Sequence, residues 1–98
     1  MDEKRDARRI PLMVRVEAMW QDDTGTLRIV PGVLEDRSLG GVSVRVNSPI
    51  RAGASVELRG QYEQFTGVVT YCRREGVVYI VGVQRTVQYP ELLSPEDQ

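Results

Sequence analysis

Leu12, Val14, Val16, Ala18 and Trp20 alternate with Met13, Arg15, Glu17, Met19 and Gln21. A pattern that repeats every second residue covers one face of an extended strand and no single face of a helix. The period returns further along. Val42, Val44 and Val46 alternate with Ser43 and Arg45, and Ala54, Val56 and Leu58 with Ser55, Glu57 and Arg59. Residues 26–34, 65–72 and 77–83 are further strand candidates, the last two rich in β-branched and aromatic side chains. Turn residues punctuate these runs: Asp22-Asp23-Thr24-Gly25, Asn47-Ser48-Pro49 and Arg73-Arg74-Glu75-Gly76. Pro31-Gly32, inside the second run, marks a bulge or an edge position, because proline donates no ladder hydrogen bond. Six strands at this spacing predict an all-β fold, a small antiparallel barrel or sandwich, of which we take the barrel. Only residues 89–93 could make a short helical turn.

A chain of 98 residues has room for one domain. The pattern divides it into an N-terminal arm over residues 1–11, a barrel over 12–88 and a C-terminal tail over 89–98. Both ends are charged or proline-containing and are expected to be flexible. The charged N-terminus lacks the apolar stretch of a secretory signal. No apolar run approaches the ~20 residues of a membrane-spanning helix, so no membrane insertion is expected. A single cysteine, Cys72, forms no internal disulfide and fits a reducing cytoplasm. The absence of histidine argues against His-based triads, and with one cysteine against structural zinc. Neither an enzyme nor a bound cofactor is expected.

Net charge is −1, which gives no global attraction to nucleic acid. The single tryptophan and single phenylalanine argue the same way, since single-strand binders stack bases on aromatic platforms. The cations are nevertheless unusual: twelve arginines and one lysine, Lys4. An arginine offers a planar fork for a phosphate or a guanine edge, where lysine offers a point charge.

Two spaced patterns stand out, Arg5-x-x-x-Arg9 before the first strand and Asp36-x-Ser38-x-x-Gly41 between the second and third. This composition produces about 1.4 arginine pairs at that spacing by chance, against about 0.03 occurrences of the second pattern. The second carries the weight. Arg5, Arg8 and Arg9 can aim several guanidiniums at one anion, each gripping a phosphate or the O6/N7 edge of guanine. The Asp36 carboxylate only accepts, which suits the N1–H and N2–H donors on guanine's other edge. Ser38 donates and accepts, and Gly41 allows a close approach or a positive φ. The bland alternative is an Asx-type turn joining two strands, with Arg5 and Arg9 in a solvated tail.

At these residues the sequence resembles a PilZ domain, a bacterial receptor for the second messenger cyclic di-GMP. The resemblance runs from about Lys4 to Arg85. Lys4-Arg5-Asp6-Ala7-Arg8-Arg9-Ile10-Pro11 is similar to the family's RxxxR segment. Leu34-Glu35-Asp36-Arg37-Ser38-Leu39-Gly40-Gly41-Val42 is similar to its [D/N]xSxxG segment, and residues 67–74 with 79–83 to its closing hairpin. The resemblance implies a six-stranded antiparallel split barrel and binding of cyclic di-GMP by Arg5, Arg9, Asp36, Ser38 and Gly41. Lys4, Arg8, Tyr71 and Arg73 are implied auxiliaries, Tyr71 as an aromatic stacking near the ligand. Gly41 is expected to keep the ligand surface open. The implied role is a sensor or adaptor whose arginine arm folds over the nucleotide and creates a surface for a downstream protein, in motility, biofilm or exopolysaccharide control. The competing expectation is a nucleotide-independent interaction module of the same fold.

Overall fold

The computed structural model describes residues 10–86, with side chains from residue 13 onward. Six strands account for nearly all of it: β1 Ile10–Gln21, β2 Leu27–Ser38, β3 Gly41–Val46, β4 Ser55–Arg59, β5 Gln64–Glu75 and β6 Val78–Arg85. They close into an antiparallel barrel in the order β1-β2-β3-β6-β5-β4. The short β4 completes the circle, pairing with Glu17–Met19 of β1 on one side and with the start of β5 on the other.

Most of the period-two residues are inside, Val14 at 38% exposed being the exception among the described side chains. Val16, Ala18, Trp20, Val42, Val44, Val46, Val56 and Leu58 are buried in a single core with Leu34, Ile50, Phe65, Val69, Val81 and Val83. Branched side chains dominate, as they pack well on a pleated surface.

The observed strands are longer than the sequence runs indicate. β2 continues to Ser38 and β5 to Glu75, so Asp36 and Ser38 lie within a strand and only Leu39 and Gly40 connect β2 to β3. The turn reading of that motif is thereby corrected. The ladders hide this length because they contain bulges, which break simple alternation. Leu34 faces Val44 but Asp36 faces Ser43, leaving Glu35 as an extra residue in β2. Val69 faces Val83 but Tyr71 faces Gly82, leaving Thr70 extra in β5. Opposite Glu35, β1 carries its own irregularity between Pro11 and Val14. Pro31-Gly32 is not a bulge. Pro31 pairs with Glu17 of β1 and lies just before the β3 ladder begins at Gly32, which is the edge position.

Candidate functional site

The two bulges decide which way the motif residues face. Side chains directly opposite one another in a sheet share a face. Leu34, Val44, Val81 and Cys72 form one inward row across β2, β3, β6 and β5. The next row toward the chain ends is Asp36, Ser43, Gly82 and Tyr71, and it faces outward. Unbroken alternation after Leu34 and after Val69 would have aimed Asp36 and Tyr71 into the core. A further inward row, Arg37, Val42, Val83 and Val69, precedes a second outward one of Ser38, Gly41, Gln84 and Val68. The barrel wall thus collects Asp36, Ser38, Gly41 and Tyr71 on one outer face.

A shallow hollow of about 150 Å³ lies there, lined among others by Ser38, Gly41, Tyr71, Gly82 and Gln84. Gly82 makes its floor. A Cβ at that position would collide with the Tyr71 ring, so the ring lies flat over the glycine. The bulged Thr70 donates its hydroxyl to the Gly82 carbonyl at 3.3 Å, tying the two strands beneath the ring. Gln84 donates its side-chain amide to the Gly40 carbonyl at 3.1 Å and so braces the β2–β3 turn. Gly41 provides a close approach, one of the roles its residue type allows: a Cβ there would stand 2.8 Å from the Val83 carbonyl oxygen, so this glycine lets β3 approach β6.

Two cations border this face from the row below, where Arg45 and Arg73 stand on either side of Ile80. Arg73 holds Glu75 at 2.9 Å and lies with its guanidinium 5.8 Å from the centre of the Tyr71 ring. The Glu75 hydrogen bond raises the Arg73 pKa above its ordinary value. Arg45 donates its Nε to Glu35, the bulged residue, and that bond raises the Arg45 pKa likewise. Neither arginine loses its charge, and each is held by a neighbouring carboxylate. Arg45, Glu35, Gly82 and Gln84 were not singled out by sequence reasoning. Only Gly82 left a signal, an isolated glycine inside a strand run, which marks close approach of a neighbour.

Lys4, Arg5, Arg8 and Arg9 lie outside the described residues. Arg9 is joined directly to Ile10, which stands opposite Arg37, with Pro11 opposite Asp36. Larger hollows exist elsewhere. One of about 380 Å³ lies among Trp20, Asp22, Asp23, Ile50, Arg51 and Cys72. Its two carboxylates are occupied. Asp22 accepts from the Thr24 and Thr26 amides at 3.0 Å each, and Asp23 pairs with Arg51 at 3.0 Å.

Compared with known families, the model of the PilZ domain matches residues 3–92. The chain belongs to the PilZ domain family. No curated protein matches it. PilZ domains are binding and adaptor domains, generally receptors for cyclic di-GMP, and not an enzyme family. The match takes in both motif segments and all six strands. Among the described residues of this PilZ domain, no helix is long and apolar enough to cross a membrane.

Proposed function

We propose that this PilZ domain is a cyclic di-GMP sensor and adaptor whose ligand lies on the outer wall of β2, β3, β6 and β5. The observation that carries the reading is the outward row. Asp36 and Ser38 share one outer face with the Tyr71 ring and the Ser38–Gly41–Tyr71 hollow, although strands without bulges would aim all three side chains into the core. That face offers what a cyclic guanine dinucleotide needs from the barrel: a carboxylate acceptor for guanine's N1–H and N2–H, a hydroxyl, and a flat ring for stacking. The phosphates and Hoogsteen edges are left to guanidiniums, supplied in this reading by Arg5 and Arg9, with Arg8 and Lys4 assisting. Because β1 enters the barrel opposite Asp36 and Arg37, the arm leads directly from the wall it would cover. Charge-assisted bonds contribute ~1.5–3 kcal/mol each, enough for several of them to exceed the entropy of ordering a short arm. Arm, ligand and rim together would then present a new surface to a downstream protein.

Calorimetric titration of cyclic di-GMP into nucleotide-stripped protein tests this. Saturable binding is expected for the wild type and none for Arg5→Ala/Arg9→Ala/Asp36→Ala. Asp36→Ala alone should weaken binding by about 30-fold, the loss of roughly 2 kcal/mol for one charge-assisted contact. Absence of binding to a folded wild type would overturn the reading in favour of a nucleotide-independent interaction module. Equal binding by all three proteins would place the ligand elsewhere.

A further inference from the structure

The barrel mouth where β1 begins and β6 ends is lined differently from the rest of the interior. On the inward side, the last residues of two strands are arginines: Arg37 of β2, opposite buried Val42, and Arg85 of β6, opposite buried Gly67. Arg85 lies over the Phe65 ring, its guanidinium 4.7 Å from the ring centre, with no carboxylate partner among the described residues. Arg37 offers one terminal nitrogen to both Glu63 carboxylate oxygens, at 2.9 and 3.0 Å. Its Nε is buried and has no partner. Between the two guanidiniums and the β2–β3 turn is a hollow of about 170 Å³ with Phe65 at its base. Two loops border this mouth, and each holds up a large apolar side chain: Leu39 is 94% exposed and Tyr62 is 89% exposed.

We propose that this mouth is a docking site for an acidic segment of a partner protein, with carboxylates received by Arg85 and Arg37 and neighbouring apolar side chains laid against Leu39 and Tyr62. The donor geometry favours carboxylates. A guanidinium fork pairs with a carboxylate through two parallel N–H bonds, and both Arg85 and the exposed part of the Arg37 side chain face the hollow. The Arg37–Glu63 pair is half exposed on both sides, so it is weak and an incoming carboxylate can share or displace it. Arg85 is already oriented by its stacking on Phe65 and has no carboxylate partner among the described residues. Arginine and tyrosine around a partly dry hollow are the composition of protein interfaces. A bilayer is too flat to enter the hollow. A nucleic acid chain would need a longer basic track than two arginines beside Glu63. The proposal does not rest on the cyclic di-GMP reading: it uses Arg85 and Arg37, which that reading does not, although the hollow shares Ser38 and Gly41 with the ligand wall.

The test is run on the full chain without nucleotide. Twelve-residue peptides are selected from a random library, and the enriched sequences are measured by fluorescence anisotropy. Expected are peptides with Asp or Glu beside Leu or an aromatic, binding at least tenfold more weakly to Arg85→Glu and to Arg37→Met. A charge-swapped peptide carrying Arg at the acidic position should regain affinity for Arg85→Glu. Arg37→Met keeps an apolar stem in the barrel, and Arg85→Gln serves as a second, milder variant; melting curves confirm that each is folded. Recovery of no binders, of binders without acidic enrichment, or of acidic peptides indifferent to both arginines would overturn the proposal. So would tighter, Arg85-dependent binding of phosphatidylglycerol vesicles or of a single-stranded oligonucleotide.

Discussion

The two halves of this barrel obey different rules. In the half built from Val16–Trp20 of β1 and from β4, inward residues are apolar, outward residues polar or exposed, and the register runs without a slip from Val14 to Gln21. In the half nearer the chain ends, β1, β2 and β5 each carry an irregularity, and the polar residues fall where strict alternation forbids them. Asp36 faces outward through the Glu35 bulge, Tyr71 through the Thr70 bulge, and Arg37 faces inward at the mouth. The plain half supplies much of the core, and the irregular half carries the residues of the proposed ligand wall. A bulge is the cheapest device for this, because one added residue reverses the facing of everything beyond it.

Single-residue deletions give the largest contrast between the halves. Removing Glu17 from the plain half leaves nothing to absorb the slip. Ala18 and Trp20, both buried, would turn outward or drag β2 and β4 out of register, and folding should be abolished. Removing Thr70 instead deletes the bulged residue and leaves Val69 opposite Val83 and Tyr71 opposite Gly82. That protein should fold, destabilised by about 1–2 kcal/mol, the scale of a local packing and hydrogen-bond loss. Circular dichroism and urea unfolding distinguish the two. Equal damage from both deletions would show that the bulge does not set the facing.

Truncation inside the plain half comes next. Leu58 is 1% exposed, and Leu58→Ala should lower stability by about 3 kcal/mol. Its affinity for cyclic di-GMP, measured well below the melting temperature, should be unchanged. In the irregular half the two quantities move together. At Gly82→Ala the new methyl displaces the Tyr71 ring, which should cost about 1–3 kcal/mol of stability. The nucleotide should bind more weakly as well, because its stacking surface has moved. If Leu58→Ala changes affinity, or Gly82→Ala leaves it intact, the division of labour fails.

The same division explains what could be read in the sequence. The plain half was legible because burial and alternation agree: Val16, Ala18, Trp20, Val56 and Leu58 were named from period alone and are in the core. The six-stranded antiparallel barrel followed. Beyond Leu34 the pattern Glu35-Asp36-Arg37-Ser38 contains no apolar residue to report a face, so the strand was read as ending there. Its continuation to Ser38 is set by pairing with β1 and β3, a tertiary fact with no local signature. Asp36, Ser38 and Gly41 stand out by residue type and spacing, Tyr71 only through the family resemblance. A close approach at Gly41 is legible from its residue type, but that β6 is the neighbour cannot be seen from β3 alone. Glu35 and Arg45 were missed for a related reason, since ten residues separate a pair that two neighbouring strands bring together.

The smallest expected effect belongs to the far end of the plain half, the β1–β2 turn. There Asp22 accepts from the Thr24 hydroxyl at 2.7 Å and from the Thr24 and Thr26 amides at 3.0 Å, with Arg28 at 3.6 Å. These bonds, the Thr24 hydroxyl foremost, hold the Asp22 pKa below its ordinary value of 3.8. A carboxyl whose pKa is lower folded than unfolded stabilises the protein above the unfolded value, and loses that contribution as pH falls through the folded one. Asp22→Asn retains a side-chain acceptor but carries no charge to lose. Its melting temperature should therefore lie slightly below wild type from neutral pH down to about 5, and the gap should narrow steadily below about pH 4. Cyclic di-GMP affinity should be the same in both proteins at neutral pH, since the turn lies at the opposite end of the barrel from Ser38. A gap that widens in acid would reverse the sign assigned to Asp22. A change in affinity would mean that the two ends of the barrel are coupled after all.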